Sequence, residues 1–453
     1  MLRNLFVMSI AGVGIFYGLR GPFYVLLLYL WIAYFRPEQW VWGDFVGQLN
    51  LSFIAGLALV GSLLLSRERE RIRLDLRTVV LFLFLLQSIL STALGPHAEY
   101  SWAYWPDLAK SLVVTYAVAT LVSDRLRFRL TLLVIAVSLG FEASKQGWLQ
   151  LLLNPGAKNV NRIPPFGDEN GAALAMFMLT PLLLALASTA ARRSEAVVHR
   201  FMAVGVVFRG IATYSRGGFL SAGVLGMLYF LRSRHKVRAA VGVGLLAGLI
   251  LTVFPEKFWD RMETIRLAAD RVINRDDDGG PETDRGDRSA MGRLHFWTVA
   301  VDMARDRPLT GVGYLGYNPS FDAYDFSGGE FGTHRSVHSA WFGVLAELGF
   351  PGLMLFGSTM LLALIACRRA RRQARQGTID AEFGVYATAL ETSLFVYAVG
   401  ACFIPFQYVH IFWNIAGLTM ALDRITKTAV AARAVDNAPA PAFGDAPVPS
   451  AVV

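Results

Sequence analysis

Long runs of apolar residues, separated by short polar connections, dominate this chain. A helix needs about 17–25 mainly apolar residues to cross a bilayer. Thirteen runs approach or reach that length, and the first two and the last are short. The runs cover residues 4–19, 22–35, 48–66, 77–95, 107–123, 129–152, 170–189, 198–214, 217–231, 238–254, 338–367, 384–403 and 408–424. We therefore expect an all-α polytopic membrane protein with about 12 transmembrane helices. The first two runs form a hairpin or one broken element, which leaves the side of the N-terminus open.

The polar connections carry a charge bias that predicts their side of the membrane. Lys and Arg accumulate in the short cytoplasmic loops of membrane proteins. Here basic clusters recur on alternate connections, whereas residues 96–106 contain no Lys or Arg. The clusters consist of Arg67, Arg69 and Arg71; Arg125, Arg127 and Arg129; Arg192, Arg193 and Arg200; Arg232, Arg234, Lys236 and Arg238; and Arg368, Arg369, Arg371, Arg372 and Arg375. All of them are able to face the cytoplasm together, which predicts a multi-pass membrane protein; in a bacterium this would be the inner (cytoplasmic) membrane.

The connection 255–337 is the one long segment between two apolar runs. The same alternation assigns it to the outer side of the membrane, which in a bacterium would be the periplasm. We therefore divide the chain into transmembrane helices over 1–254 (about ten), a periplasmic loop domain over 255–337, C-terminal transmembrane helices over 338–424, and a cytoplasmic tail over 425–453. The tail is rich in Ala, Pro and Val, a composition that predicts disorder.

Composition agrees with this picture and removes several classes of protein. The 453 residues are 54% hydrophobic and only 17% charged, whereas soluble domains are about 25% charged. Two cysteines are too few for a disulfide scaffold, a zinc ribbon or an iron–sulfur protein. The basic loops account for the net charge of +9, so no nucleic-acid partner is needed. Segment 255–337 has eleven Lys and Arg against fifteen Asp and Glu, so an anion there must be held by individual arginines.

A pair of arginines lies near the predicted outer end of two successive runs. Arg209 and Arg216 are seven residues apart, which would place them on one face of a continuous helix. Arg209 lies inside an apolar run, where a cation marks a functional site or a buried ion pair. Gly217 and Gly218 predict a break next to Arg216, where backbone is able to approach a ligand. A snorkelling arginine at a helix end is the alternative for Arg216.

Two histidines stand where the long loop re-enters the membrane. His334 and His338 have the i, i+4 spacing of a zinc-binding helix, but Arg335 occupies the position where that motif requires a Glu base. We therefore predict no metal site. A histidine at the membrane surface is able to act as a general base near neutral pH. An interfacial histidine satisfied by its neighbours is the alternative for His338.

Other polar groups near the predicted spans have structural explanations. Asp168 is expected to cap the helix that follows it, with a substrate hydrogen bond from Asn170 as a second possibility. Glu142 and Lys145 are i and i+3 within one run, so we expect them to neutralise each other.

Four short motifs lie in order around the long loop. They are Ser215-Arg216-Gly217, then Gly292–Trp297 with the spacing Arg-x-x-x-Trp, then Pro308–Tyr314, and finally His338-Ser339 followed by Leu345–Gly352. In this order they resemble the bacterial O-antigen ligases and their relatives, the O-antigen polymerases and protein O-glycosylation ligases. The segment Tyr29–Glu38 further resembles the branch known as exosortase-associated O-glycosylation ligases.

The resemblance implies a glycosyltransferase of the GT-C type with its active site facing the periplasm. Such enzymes move a glycan from undecaprenyl pyrophosphate to an acceptor hydroxyl, which in the ligases belongs to the lipid A–core. The reaction is implied to be inverting and to need neither metal nor cofactor. Carried over to this sequence, His338 is the base, and Arg216 and Arg293 bind the diphosphate, whose oxygens the planar guanidinium fork fits. Further candidates for substrate contacts are Arg288, Arg209, Arg335 and Arg266.

Two other functions stay open on the sequence alone. One keeps the family and changes the acceptor, as in an O-antigen polymerase or a protein O-glycosylation ligase. The other is a flippase or transporter of lipid-linked glycan. Transporters commonly contain inverted repeats and charged groups near the membrane midplane. We find no internal repeat of fixed period in this chain, which favours transfer over transport.

Overall fold

The computed structural model describes residues 2–40, 50–65, 75–159, 166, 168–233, 235–253 and 284–436. Within these ranges the regular structure is entirely helical. The helices are α1 (Leu2–Gly18), α2 (Pro22–Phe35), α3 (Leu51–Leu65), α4 (Leu76–Leu94), α5 (Ala98–Leu121), α6 (Arg125–Leu153), α7 (Glu169–Ser188), α8 (Arg193–Ile211), α9 (Arg216–Arg232), α10 (Lys236–Val253), α11 (Asp284–Asp306), α12 (Tyr317–Tyr324), α13 (Ala340–Arg375), α14 (Ala381–Gly400) and α15 (His410–Asp436). A 3-10 turn covers Pro37–Gln39.

Every apolar run of the sequence corresponds to a helix, α1–α10 and α13–α15. Among the described helices, α4, α7, α13 and α14 are both long and apolar enough to cross a membrane. Helices α1, α2 and α3 are apolar but shorter. The all-helical architecture is therefore confirmed for the described residues, with four candidate membrane spans, while the total of about 12 spans and the GT-C architecture stay predictions.

Helix α7 forms the centre of the bundle. Its sequence is apolar on all sides, which is typical of a helix that is buried all round. It packs against α6, α8, α9 and α14, and 89% of its apolar window is buried. Helix α13 packs against α4, α14, α15 and α11. The core thus joins the helices on both sides of the long loop.

Helices α6 and α8 cross with their backbones in contact. A Cβ atom at Gly147 would lie 1.9 Å from the carbonyl oxygen of Gly205, and a Cβ atom at Gly205 would lie 2.7 Å from the carbonyl oxygen of Ser144. Small residues at such crossings let helices approach closely within a membrane. Here they bring α8 against the half of α6 that contains Glu142 and Gln146.

Helices α1 and α2 form a hairpin, which decides between the two expectations for this region. The ring of Phe6 near the start of α1 lies 6.4 Å from that of Phe35 at the end of α2, and Tyr17 lies 5.6 Å from Tyr24 near the turn. The ring of Phe35 also lies 6.2 Å from that of Phe141 on α6. Phe141 is twelve residues after Arg129, which corresponds to about 18 Å along the helix. The start of α1 therefore lies away from the end of the bundle where α6 begins.

Basic residues from alternate connections meet at one end of the bundle, which we call the basic end. Arg129 at the start of α6 contacts Glu195 at the start of α8 and lies 3.7 Å from Glu382 at the start of α14. Arg232 at the end of α9 lies 2.7 Å from Glu391 of α14. This grouping is the one that the alternation of charges predicts. Its assignment to the cytoplasm stays a prediction.

The long loop contributes helices α11 and α12, which build a second, smaller core at the opposite end, which we call the loop end. Phe296 and Met303 of α11 and Phe321 of α12 pack with Val337 and Ala346. The loop is thereby fixed to the first turns of α13. Residues 254–283 of the loop lie outside the described part of the chain.

The C-terminal boundary differs from the expected one. Helix α15 continues to Asp436, so residues 425–436, expected to belong to the tail, are helical. The segment is rich in Ala, a strong helix former, and Lys427 forms a 2.6 Å ion pair with Asp423 one turn earlier. Residues 437–453 lie outside the described part of the chain.

Candidate active site

The chain turns sharply between α8 and α9, just before Arg216. Helix α8 ends at Ile211, Tyr214 has a φ of 59°, and Ser215 caps α9 by accepting a 3.0 Å hydrogen bond from the backbone N–H of Gly218. The expectation that Arg209 and Arg216 share a face of one helix is therefore wrong. The break also precedes Gly217 and Gly218, which belong to the first turn of α9. Capping residues adopt non-helical backbone angles. Because Ser215 caps α9, α8 cannot continue through it as one helix.

A short chain of hydrogen bonds joins the starts of α7 and α9. Asp168 caps α7, as expected, by accepting from the N–H of Gly171 at 2.8 Å. The Nδ2 of Asn170 donates to Asp168 Oδ2 at 3.0 Å, and Ser215 Oγ donates to Asn170 Oδ1 at 2.7 Å. This chain sets Arg216, the residue after Ser215, next to the first turn of α7.

The two histidines do not lie on a common helix. Helix α13 begins only at Ala340, after Ser339 has capped it, and His334 and His338 have left-handed φ values of 50° and 49°. His334 is exposed and lies 3.5 Å from Asp322, whereas His338 is half-buried. The zinc-helix geometry is therefore absent. Among the described residues no group of three or more His, Cys, Asp and Glu side chains is arranged to hold a metal ion.

The Arg-x-x-x-Trp spacing places Arg293 and Trp297 on one face of α11, one turn apart. The Arg293 guanidinium lies 5.9 Å from the ring of Phe403. Trp297 is 6.2 Å from the same ring and stacks on Phe342 of α13 at 5.2 Å. One apolar face of α11 thus docks on the start of α13 and the end of α14, with Arg293 at its edge.

Electrostatic interactions connect Arg216, Arg293 and His338. Burial, and after it the charge of Arg216, lowers the pKa of Arg293. Burial, and after it the charge of Arg293, lowers the pKa of His338 below its ordinary value of 6.5, with a smaller lowering effect from Arg335 and an opposing effect from Asp168. The ring of His338 lies 6.0 Å from that of Phe296 on α11. Three sequence-predicted residues from three segments therefore share one electrostatic environment.

The remaining candidates are placed differently. Arg335 is exposed, and its Nε donates to the carbonyl of Phe331. Arg209 is 1% exposed, and its Nε donates to Gln146 Oε1 of α6 at 2.9 Å. Glu142 and Lys145 form the expected pair at 2.7 Å.

Two candidates lie outside what the structure describes. Arg288 belongs to α11 by its backbone, but its side chain lies outside the described residues. Arg266 lies in the undescribed segment 254–283. The roles expected for both stay predictions.

The third and fourth motifs bind each other through their backbones. The N–H of Val312 donates to the carbonyl of Ala346 at 2.8 Å, and the N–H of Gly313 donates to that of Glu347 at 3.0 Å. The N–H of Phe350 in turn donates to the carbonyl of Pro308 at 3.0 Å. These bonds form where α13 is interrupted at Gly349. The two motifs therefore hold the first turns of α13 in place, and this helix begins two residues after His338.

A buried histidine–aspartate pair, missed in the sequence, holds the loop after α12. His295 Nε2 lies 2.7 Å from Asp325 Oδ1. Burial opposes ionisation of Asp325, but hydrogen bonds from Ser327, Gly329 and His295 lower its pKa to about 2. No sequence signal indicates the pair, because thirty residues and a helix separate its members. The sequence likewise indicates only the capping role of Asp168, although its charge also acts on His338.

A cavity of about 390 Å³ opens at the loop end next to the segment that leads to His338. Ser336 and Val337 line it on one side. Hydroxyl, amide, carboxylate and aromatic side chains are among the other groups that line it: Tyr100, Tyr317, Asn318, Glu347, Gln407 and Tyr408. Such a mixture suits a polar ligand with several hydroxyl groups.

Comparison with known families agrees with this arrangement. Residues 201–357 match the family model described as O-antigen ligase, a range that contains Arg216, Arg293 and His338. Residues 2–158 match a family of unknown function. A search of curated proteins finds no match. The match runs from the second half of α8 through α9 and the long loop to the first half of α13, so this part of the chain is similar to the O-antigen ligase family.

Proposed function

We propose that the chain is a glycosyltransferase of the O-antigen ligase type, which moves a glycan from undecaprenyl pyrophosphate to a hydroxyl of the lipid A–core at the periplasmic face of the inner membrane. One observation carries this proposal: the charge of Arg216 acts on Arg293 and that of Arg293 acts on His338, although the three residues come from separate segments. Two cations beside a neutral imidazole suit a reaction in which a hydroxyl attacks and a diphosphate leaves.

In the proposed step, the acceptor oxygen bonds to the anomeric carbon of the donor sugar. The bond from that carbon to the diphosphate oxygen breaks on the opposite face, so one displacement inverts the configuration. His338 takes the hydroxyl proton and later passes it to water. Arg216 and Arg293 stabilise the negative charge that develops on the diphosphate, a contribution of about 10²–10³-fold for one such donor in other enzymes.

The lowered pKa of His338 supports its role as base. A base must be unprotonated before the reaction, and a histidine whose pKa lies below 6.5 is largely neutral at pH 7. Arg293, one of the two arginines that would bind the diphosphate, contributes to this lowering. The charge of the bound diphosphate would offset that of Arg293, so His338 would become a stronger base once the donor is in place.

The cavity beside Ser336 and Val337 supports a carbohydrate acceptor. Its volume of about 390 Å³ falls within the usual range of about 300–1,000 Å³ for small-ligand sites. Its aromatic rings and side-chain hydrogen-bonding groups suit a sugar hydroxyl face. A polymerase or a protein ligase would use the same arginines and the same base, and would differ only in the acceptor.

Reconstitution with defined acceptors tests the proposal. Purified protein in liposomes receives undecaprenyl-pyrophosphate glycan together with rough lipopolysaccharide, with further donor as acceptor, or with a Ser/Thr peptide. We expect glycan on the lipopolysaccharide, and no transfer by the His338→Ala variant. Lengthened lipid-linked glycan would identify a polymerase, and glycopeptide a protein ligase. Movement of donor across the bilayer without any transfer would overturn the proposal.

A further inference from the structure

A groove of about 380 Å³ lies at the basic end, between the last turns of α7, α9 and α13 and the first turns of α14. Leu184, Ala374 and Val385 are among the small and apolar side chains that form most of its lining. Arg371 and Arg375 line it as well. The groove therefore combines an apolar wall with two guanidinium groups.

Three arginines next to this groove share a single carboxylate. Glu391 is buried, and Arg232 Nη2 lies 2.7 Å from its Oε2. Arg371 contacts the same oxygen, and Arg368 Nε lies 3.4 Å from Oε1. One carboxylate thus faces three guanidinium groups. Arg375 is exposed and adds a fourth positive charge at the groove.

The other acids at this corner are engaged by a different pair of arginines. Arg125 contacts Glu382 and lies 3.9 Å from Asp380. Arg129 lies 3.7 Å from Glu382 on its other side. Within the described part of the chain, the ion pairs therefore leave a surplus of positive charge at the groove, which an anion would stabilise.

We propose that this groove binds one anionic phospholipid, with its phosphate at Arg371 and Arg375 and an acyl chain along the apolar wall. A neutral lipid would cover the wall but leave the positive charges unbalanced. A free phosphate would balance the charges but leave the wall uncovered. Basic pockets between helices are typical binding sites for anionic headgroups, and the arginine fork fits phosphate oxygens. The site lies at the opposite end of the bundle from Arg216, Arg293 and His338.

Native mass spectrometry of the full-length protein tests this proposal. The detergent-solubilised protein is incubated with phosphatidylglycerol, with phosphatidylcholine of the same acyl chains, or with inorganic phosphate. We expect several-fold more bound phosphatidylglycerol than phosphatidylcholine, and no retained phosphate. Arg375→Gln should remove this preference. Arg372→Gln is the matched control, because Arg372 is the same residue type, is exposed and does not line the groove.

A second variant separates the groove from general surface charge. Val385→Trp should fill the space beside the apolar wall of the groove. It should thereby reduce the retention of phosphatidylglycerol while every arginine is kept. Circular dichroism and size-exclusion chromatography report whether each variant is folded. Equal retention of the two lipids by the unaltered protein would overturn the proposal. Equal losses in Arg372→Gln and Arg375→Gln, or full retention in Val385→Trp, would overturn it as well.

Discussion

Two of the charges that shift the pKa of His338 belong to residues that lie far from it in sequence. Burial and the charges of Arg293 and Arg335 lower its pKa, and Asp168 at the start of α7 opposes them. His334, four residues earlier, is exposed and pairs with Asp322 instead. Two histidines of one short segment thus have different environments, which offers a matched pair for mutagenesis.

We predict that His338→Ala abolishes most glycan transfer. Loss of a general base typically costs about 10²–10⁴-fold in rate. His334→Ala should leave the rate within a few-fold of the parent, because its side chain is exposed. Both rates are measured by transfer to rough lipopolysaccharide in liposomes. Equal rates in the two variants would contradict the assignment of His338 as base.

The pH dependence of transfer should report the charges around His338. The proposed mechanism requires neutral His338, so we expect activity to fall as the pH drops through a pKa that lies below 6.5. Asp168→Asn removes a charge that raises this pKa, so the acidic limb should move to lower pH. Asn still caps a helix, which keeps α7 intact.

Arg335→Gln is the opposite change. It removes a charge that lowers the pKa of His338, so the acidic limb should move to higher pH. Initial rates measured between about pH 5 and 8, the range in which a histidine titrates, locate each limb. Shifts of the two limbs in the same direction would refute this electrostatic account.

At the scale of elements, the start of α13 depends on its contact with the segment after α11. Gly349 has a φ of 68°, and three backbone hydrogen bonds link residues on both sides of it to 308–313. From α4, the Nε2 of Gln87 donates to the carbonyls of Leu309 at 2.6 Å and Leu348 at 2.8 Å. The bend at Gly349 and the segment 308–313 therefore form one packed unit. This unit fixes the first turns of α13, which follow His338.

We predict that Gly349→Ala destabilises the protein by at least about 1–3 kcal/mol, the usual cost of a non-glycine residue in a sparsely populated backbone region. The added Cβ atom would also lie 2.6 Å from the carbonyl oxygen of Pro308. Gly357→Ala in the same helix is the control, because its Cβ atom would meet nothing within 4 Å. There we expect stabilisation of about 0.5–1 kcal/mol. Thermal unfolding in detergent measures both changes, and equal unfolding temperatures would contradict the prediction.

At the scale of the whole molecule, arginines gather at both ends of the bundle. At the basic end, buried acids hold them, as Asp423 holds Arg77 at 2.6 Å and Arg369 at 3.1 Å. At the loop end, Arg216 and Arg293 lie close enough to repel each other. Two cations held together in this way are suited to an anionic substrate. The charge that a metal ion supplies in other transferases would here come from the protein.

We therefore predict that glycan transfer continues in the presence of a chelator. The rate in liposomes should be the same with and without EDTA, while Arg293→Gln should lower it by about 10²–10³-fold, the usual effect of removing one charge-stabilising donor. Arg305→Gln is the control for α11, because Arg305 is exposed and pairs only locally with Asp302 at 3.3 Å. A chelator-sensitive rate that is restored by a divalent cation would contradict the prediction.

Much of the architecture was accessible from the sequence, because hydropathy and helix capping are local properties. Each apolar run became a helix, and Asp168 caps α7 as expected. The sequence predicts the break between α8 and α9 at Gly217 and Gly218, whereas in the structure it lies between Ile211 and Arg216. It depends on the caps and on the link from Ser215 to Asn170, and those partners are forty-five residues apart.

Hydropathy and short motifs were enough to predict a helical chain with apolar, membrane-type segments, and to predict Arg216, Arg293 and His338 as site residues. The packed bundle was needed to bring these residues into one electrostatic environment, to add the charge of Asp168 to the field at His338, and to support the bend at Gly349 with the segment 308–313. This difference follows from the range over which each effect acts. Burial preference and backbone conformation act over a few residues, whereas the field at His338 is the sum of charges that only the packed bundle brings together.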